Sequence, residues 1–150
     1  MATCGEGMKR RDPLASLRLL KAASAPDETT LQAEANKTRA AFLHLLEGTA
    51  STHDFDRVAM EINTCKIRAL KIGNNGLLLE ALTAAQLANT AIRNRYIKWG
   101  KFQVLDTEKP IVDAALEACE AIIAASTPLQ MQQAYETMLR SLRLRMKGKK

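Results

Sequence analysis

The sequence predicts an all-α protein, folded as a single-domain antiparallel helical bundle of five to six helices. Apolar residues make up 47% of the chain and aromatic residues only 4%, with seven glycines and four prolines, a composition that favours helices over strands. The apolar residues recur at intervals of three and four positions, the spacing of one helix face. A chain of 150 residues buries about 70% of its unfolded surface in one core, so no second core is needed.

Two long helices are predicted before residue 73. The first covers residues 30–47, and Gly48 supplies the left-handed residue that commonly follows a helix end. The second begins at Ser51 or Thr52 as N-cap and ends at Gly73. Their buried faces are predicted to carry Leu31, Ala35, Thr38, Phe42 and Leu45, and then Phe55, Val58, Ile62, Cys65, Ala69 and Ile72.

The third predicted helix follows the turn sequence NNG and runs from Leu77 to Trp99. Alanine recurs on its apolar face, which lets a neighbouring helix approach closely, so this helix is predicted to be the central one. The connection KFQVLDTEKP is predicted to be a loop, because a lone strand would have no partner. The buried face is predicted to carry Leu78, Leu82, Ala85, Ala88, Ile92, Tyr96 and Trp99.

Two further helices complete the predicted bundle. Asp106 or Thr107 is predicted to cap the fourth. The fifth begins at a capping box formed by Thr127 and Gln130, with Pro128 at the first helical position. Their buried residues are predicted to be Ile111, Ala115, Ala118 and Ile122, and then Met131, Tyr135, Met138 and Leu142.

The two ends of the chain differ from its middle in charge. Residues 1–12 are predicted to be a disordered basic segment, residues 13–145 the helical domain, with a short amphipathic helix over 13–24, and residues 146–150 a basic tail. Residues 1–24 carry a net charge of +3 and residues 139–150 carry +6, which leaves the 114 residues between them at −3. The overall charge of +6 is therefore a property of the ends.

Several classes of protein lack their usual signatures in this sequence. The three cysteines have neither CxxC nor Cys/His spacing, so no disulfide framework or metal site is predicted. No apolar run is long enough for a membrane helix or a signal peptide, so we expect a protein of the cytoplasm. No catalytic, nucleotide or cofactor motif occurs, so we expect no cofactor and no enzyme activity.

Candidate catalytic side chains are few. His53 begins a helix and would act as a general base only if Cys65 lay nearby, and Cys65 is better interpreted, like Cys119, as a small buried apolar residue. Asp54, Arg57 and Glu61 occupy positions i, i+3 and i+7 of one helix face. We interpret these three as a solvent-exposed ladder of ion pairs, because two acids flanking a cation do not form a site for a hard cation.

A basic and aromatic cluster ends the third predicted helix. Cations at this position complement the helix C-terminus, which gives them a structural explanation. Trp and Arg are also enriched at the energetic centres of protein interfaces, so the same cluster is a candidate surface for phosphates or an acidic protein partner. Its members are Arg93, Arg95, Tyr96, Lys98, Trp99 and Lys101.

The last two predicted helices invite comparison with a helix-turn-helix. Glutamines at the start of the second helix are placed to contact base edges, and later arginines are placed to contact phosphates. Against this interpretation, the junction lacks the usual glycine and the preceding helix carries three acids. The candidate nucleic-acid-binding residues are Gln130, Gln132, Gln133, Arg140, Arg143, Arg145 and Lys147.

The stretch FLHLLEGTASTHDFDRVAMEIN resembles a group of short proteins encoded by phages and mobile elements of proteobacteria. The matching residues are Leu46, Gly48, Thr49, Ala50, Asp54, Asp56, Val58, Asn63 and the triplet Ala84, Ala85 and Gln86. The resemblance covers roughly residues 40–140 and implies a phage-encoded protein that acts in the bacterial host cytosol. The group has no assigned activity, so the resemblance transfers no functional residue.

The sequence therefore leads to two functional hypotheses. The first is a non-enzymatic accessory protein that binds and modulates a host protein or ribonucleoprotein, with inhibition of a defence complex such as CRISPR as its most concrete form. The alternative is a small nucleic-acid-binding protein or repressor that uses the last helix hairpin and the basic C-terminus. Apolar residues on second helix faces, namely Met60, Ile67, Leu70, Leu116 and Ile123, are compatible with a homodimer.

Overall fold

A computed structural model describes residues 28–73 and 76–148 of the chain. The predicted helix over residues 13–24, the basic segment before it and the turn residues Asn74 and Asn75 lie outside the described residues. Within the described ranges the chain forms five helices and no strand, which confirms the all-α fold class. They are α1 (Glu28–Glu47), α2 (Thr52–Ile72), α3 (Gly76–Trp99), α4 (Lys109–Ala124) and α5 (Pro128–Gly148).

Capping residues define the starts of two helices as predicted. The Ser51 hydroxyl accepts from the Asp54 N–H at 3.2 Å, and the Ser51 N–H donates to Asp54 Oδ2 at 3.0 Å, so a capping box begins α2. The same reciprocal pair joins Thr127 to Gln130 at the start of α5, at 3.1 and 2.9 Å. Gly48, after the end of α1, has a φ of 78°, a left-handed conformation that glycine adopts at little cost.

The cap predicted for α4 is wrong. Glu108 occupies the N-cap position, and neither Asp106 nor Thr107 provides the cap. The Glu108 carboxylate turns back to accept the Leu105 N–H at 2.9 Å and pairs with Arg95 of α3. A tertiary ion pair between α3 and the connection therefore sets where α4 begins, and local capping rules do not include such a partner.

The central helix is α2, and the prediction that the alanine-rich third helix is central is wrong. α2 packs against all four other helices, whereas α3 packs chiefly against α2 and α4. The reason is the width of the apolar stripe of α2, whose buried residues Val58, Ile62, Cys65 and Ala69 are fully enclosed. The alanines of α3 allow close packing against its two neighbours.

Most predicted core positions are buried. Three of the predicted positions, all toward helix ends, are exposed: Ile72 is 40% exposed, Trp99 63% and Leu142 39%. Ala35, Leu78, Tyr96 and Ile111 are half-buried, and the side chain of Leu31 lies outside the described residues. The core residues shared by α2, α3 and α4 include Ile62, Leu82, Ala85, Ile92, Leu116 and Ile122. Burial of a Leu or Ile side chain contributes roughly 1.5–3 kcal/mol each, so these contacts are the main source of stability.

Arg39 fastens α1 to α4. Its Nη1 lies 2.6 Å from Asp113 Oδ1, and its Nε donates to Glu120 Oε2 at 3.1 Å. The two acids lie two turns apart on α4, and the forked guanidinium reaches both. These bonds supplement a limited packing contact between α1 and α4.

Candidate binding groove

The basic and aromatic residues at the end of α3 divide into two groups. Arg95 is engaged within the fold: its Nη2 donates to the Gln103 carbonyl at 2.9 Å and pairs with the Glu108 carboxylate. Tyr96 stacks on Phe102, with ring centroids 4.2 Å apart, and Phe102 stacks in turn on Phe55 at 5.0 Å. Arg95 and Tyr96 thus hold the connection between α3 and α4 against the bundle.

The other residues of this cluster face solvent. Trp99 is 63% exposed, and Lys98 Nζ lies 4.9 Å from the centroid of its ring. Lys101 is exposed beside them in the chain. We call Lys98, Trp99 and Lys101 the Trp99 surface. An exposed tryptophan flanked by cations is the type of residue that contributes most at protein interfaces.

The residues predicted to bind nucleic acid also separate. Gln130 is occupied by the capping box of α5, whereas Gln133 is exposed and Gln132 is half-buried. Residues 140–148 are all exposed, and within the described chain no acid pairs with the four cations Arg140, Arg143, Arg145 and Lys147. Arg140, Arg143 and Lys147 share one helix face, which we call the α5 stripe.

The helices α4 and α5 do not pack as a helix-turn-helix pair. A short connection, residues 125–127, joins them, but α5 packs along α2 and makes at most marginal contact with α4. In a helix-turn-helix the first helix supports the second against the nucleic acid. The exposed cations of α5 consequently lie on a helix that α2 supports and α4 does not.

A groove of about 730 Å³ lies between α3 and the last turns of α5, above α2. Phe55, Ala59 and Asn63 of α2 form its floor. Gln86, Asn89, Thr90 and Arg93 of α3 line one side, and Leu142, Arg145 and Met146 of α5 line the other. The groove is open because α5 packs on α2 and has no extensive contact with α3.

Amide side chains form a bonded row at one end of the groove. Gln86 Nε2 donates to Asn63 Oδ1 at 2.8 Å, and Lys66 Nζ donates to Gln86 Oε1 at 2.8 Å. The Thr90 hydroxyl donates to the Gln86 carbonyl at 3.0 Å. Asn89 is only 6% exposed, and its Oδ1 has no hydrogen-bond partner among the described residues.

The charge of the groove is positive. Arg93 and Arg145 lie on facing sides, and none of the ten lining residues is an acid. Partial burial raises the pKa of the Asp56 carboxyl above its ordinary value, and the nearby positive charge of Arg93 opposes this rise. The structure thereby unites Arg93 and Arg145, which the sequence assigned to two separate surfaces.

The sequence analysis did not identify this groove. Its lining includes neutral amides, which carry no motif, and apolar residues such as Phe55 and Leu142, which were assigned to the core. A signal was present in the spacing of Gln86, Asn89 or Thr90, and Arg93, which recur at three to four residues and form a polar stripe beside the buried face of α3. The position of α5 above this stripe depends on tertiary packing.

A second, smaller cleft contains a cluster of charged residues. Its lining includes Glu34 and Thr38 of α1, Arg57 and Glu61 of α2, and Tyr135 of α5. The cleft has a volume of about 20 Å³, whereas a single water molecule needs roughly 10–15 Å³ of cavity volume. The cleft is therefore too small for a substrate, and its side chains stabilise the packing of α1 and α5 on α2.

The interpretation of Asp54, Arg57 and Glu61 as a solvent-exposed ladder is wrong. Arg57 is only 17% exposed and lies 3.6 Å from Glu34 Oε2. Glu61 accepts from the Thr38 hydroxyl at 3.0 Å, and burial raises its pKa to about 7. Asp54 caps α2 and contacts His44 Nδ1 at 3.2 Å. The three side chains point toward α1, which the spacing along α2 alone does not reveal.

The other candidate reactive groups are dispersed. His53 is exposed, whereas Cys65 and Cys119 are both fully buried. A hydrogen bond with Cys65, together with burial, raises the pKa of the Cys119 thiol well above its ordinary value, so this thiol stays protonated at neutral pH. No group of three or more His, Cys, Asp or Glu in the described ranges could hold a metal ion.

Residues predicted to form a homodimer face have different environments. Leu116 is enclosed in the core and cannot contact a second copy, whereas Leu70 is 61% exposed. Met60, Ile67 and Ile123 are half-buried. Sedimentation at increasing protein concentration tests the dimer directly.

Across the part of the chain that the structure describes, every helix is too short or too polar to cross a membrane.

Comparison of the chain with protein-family models, with curated proteins and with solved structures found no significant match.

Proposed function

We propose that this protein is a non-enzymatic accessory protein that binds and modulates a host protein or ribonucleoprotein through the Trp99 surface. The observation that carries the proposal is Trp99 itself, 63% exposed at the end of a well-packed helix, with Lys98 and Lys101 beside it making no ion pair to the described residues. Tryptophan is among the residues most enriched at the energetic centres of protein interfaces, and the rigid helix end presents this ring to solvent. The neighbouring lysines favour an acidic partner.

The cellular role follows from the resemblance to phage and mobile-element proteins. A protein of this kind acts in the bacterial host cytosol, where binding to a host complex is sufficient to inhibit it. A defence complex such as CRISPR is the most concrete target, and its ribonucleoprotein nature suits a surface that combines an aromatic ring with cations.

Affinity capture from a bacterial lysate tests this proposal. Tagged wild-type protein is compared with Trp99→Ala and with Leu77→Ala, a matched control because Leu77 is 83% exposed at the opposite end of the same helix. Removal of a residue at the energetic centre of an interface lowers the binding free energy by at least about 2 kcal/mol. Trp99→Ala should therefore weaken the affinity for the captured partner roughly 30-fold. Nuclease treatment of the lysate separates ribonucleoprotein capture from contact with free nucleic acid.

Two results would contradict the proposal. One is equal recovery of the same partner by Trp99→Ala and by wild-type protein. The other is the absence of any protein partner together with turnover of a small substrate by the purified protein.

As a second candidate function we propose binding of duplex nucleic acid by the α5 stripe. The specific observation in its favour is that Arg140, Arg143 and Lys147 share one exposed face with no acid paired to them in the described chain. Gel-shift experiments at low salt, with and without deletion of residues 140–150, test this function. Failure of the intact chain to bind at low salt removes it.

A further inference from the structure

The size and shape of the groove between α3 and α5 set limits on what can occupy it. Its volume of about 730 Å³ lies within the range of small-ligand and cofactor sites, roughly 300–1,000 Å³. Because α5 has no extensive contact with α3, the groove is open along its length. A ligand of one or two nucleotide units can lie in it, and a continuous strand can pass through it.

The two arginines of the groove point to an anion that contains phosphate. Arg93 and Arg145 belong to different helices and line opposite sides. A guanidinium presents a planar fork of donors that matches phosphate oxygens. No acid lines the groove to neutralise them, and Asp56 near Arg93 supplies a single opposing charge from outside it.

The polar side chains on the α3 side of the groove point to a ligand with hydrogen-bond donors. Asn89 is more than nine-tenths buried and lines the groove, and its Oδ1 lacks a partner in the described part of the chain. This oxygen is enclosed in the free protein, so a ligand reaches it when the side-chain amide turns toward the groove. The Thr90 hydroxyl donates to the Gln86 carbonyl and keeps lone pairs free to accept. The exocyclic amino group of adenine, cytosine or guanine is a donor of the required kind, and side-chain amides commonly pair with base edges.

We infer that this groove binds a nucleoside phosphate, either free or as a unit of a single-stranded nucleic acid, with Arg93 and Arg145 on phosphate and Asn89 on the base. A helix face made of Asp and Glu would satisfy the arginines but not the Asn89 oxygen, because ionised carboxylates only accept hydrogen bonds and the N–H groups of a helix interior are already bonded. The inference does not depend on the Trp99 surface. It also differs from duplex binding by the α5 stripe, which lies roughly 100° around α5 from Leu142 and Met146.

Titration of the full chain with AMP, adenosine, pyrophosphate and a hexamer of deoxyadenylate tests the inference. Chemical shifts of the Asn89 side-chain amide report contact with the base, and calorimetry reports affinity. We expect AMP or the hexamer to shift the Asn89 amide. Adenosine, which lacks phosphate, should bind at least ~10-fold more weakly than AMP, because the charge-assisted bonds are absent.

Variants locate the site. Arg93→Gln with Arg145→Gln should weaken AMP binding at least ~10-fold, whereas Lys71→Gln with Lys109→Gln removes the same charge outside the groove and should change it less than ~2-fold. All four residues are exposed, so the variants should remain folded. Arg140→Gln with Arg143→Gln, which weakens any duplex binding by the α5 stripe, should leave AMP binding intact, and this separates the two sites.

The hexamer separates the two sources of the ligand. Binding at least ~10-fold tighter than AMP identifies single-stranded nucleic acid, and equal binding identifies a free nucleotide. Both results support the inference. An unchanged Asn89 amide in the presence of AMP and the hexamer would overturn it, as would pyrophosphate binding as tightly as AMP or wild-type affinity in the double arginine variant.

Discussion

Glu61 is the residue whose protonation state most affects the fold. It lies between α1 and α2 in a cleft shared with Arg57 and Glu34, and the Thr38 hydroxyl donates to it at 3.0 Å. Burial is the main cause that raises its pKa from 4.5 to about 7, and the opposite charge of Arg57 reduces the shift. The folded protein therefore binds this proton more tightly than the unfolded chain does.

This shift predicts the pH dependence of stability. A folded-state pKa above the unfolded value gives a stabilising contribution that is complete below pH 4.5 and is lost as the pH rises to about 7. The shift corresponds to about 3 kcal/mol. Glu61→Gln mimics the protonated form, so it should raise the free energy of unfolding by about 1–3 kcal/mol at pH 8 and have little effect at pH 4.5.

Urea denaturation of wild-type protein and of Glu61→Gln at the two pH values measures this effect. Glu117→Gln, on the exposed face of α4, is the matched control. A difference in unfolding free energy between wild type and Glu61→Gln that does not change with pH would show that Glu61 is not held in a protonated form at neutral pH.

Individual helices depend on long-range ion pairs as well as on burial. α1 reaches α4 through two ion pairs of Arg39, at 2.6 Å to Asp113 and 3.1 Å to Glu120. A single guanidinium that joins two acids on another helix forms a network, which contributes more than an isolated surface pair.

Removal of this network should loosen α1. Arg39→Ala is expected to lower the free energy of unfolding by about 1 kcal/mol, and Arg39→Lys should restore little of it, because an ammonium cannot make both bonds. Lys37→Ala is the control, since Lys37 is 62% exposed and pairs only within α1. Hydrogen exchange should show faster exchange of α1 amides in Arg39→Ala. Equal destabilisation by the two alanine variants would contradict this assignment.

The predictability of each element follows from the range of the interactions that define it. Ser51 with Asp54 and Thr127 with Gln130 are reciprocal pairs three residues apart, so the sequence suffices to place the starts of α2 and α5. The start of α4 depends on Arg95 contacting Glu108, and the burial of Phe102 depends on rings from α2 and α3. Neither contact leaves a local pattern.

The same distinction explains which parts of the candidate sites were found. The cations and Trp99 could be named as candidates because composition and position near a helix end are local properties, whereas the exposure of Trp99 was not predicted, since the sequence also assigned it to the buried face of its helix. The groove was not identified, because Arg93 and Arg145 are 52 positions apart in the chain and meet only when α5 crosses α2. The environment of Glu61 likewise depends on α1 packing against α2.

At the scale of the whole molecule, charge is distributed unevenly. The 114 central residues carry a net charge of −3, while the last twelve carry +6. α5 carries four of these cations, Arg140, Arg143, Arg145 and Lys147, and residues 140–148 are all exposed. This end of α5 should attract a polyanion, and ionic strength should control the strength of the attraction.

This distribution predicts the salt dependence of duplex binding. If the three cations of the α5 stripe each contact a phosphate, the logarithm of the binding constant should fall by about 2.7 for each tenfold rise in salt, and Arg143→Gln should reduce that slope by about 0.9. Lys71→Gln removes an exposed cation from the last turn of α2, outside the α5 stripe, and should leave the slope at its wild-type value. Fluorescence anisotropy of a labelled duplex at several salt concentrations measures the slopes for wild-type protein, Arg143→Gln and Lys71→Gln. Equal slopes for Arg143→Gln and Lys71→Gln would show that the overall positive charge, and not the stripe, attracts the duplex.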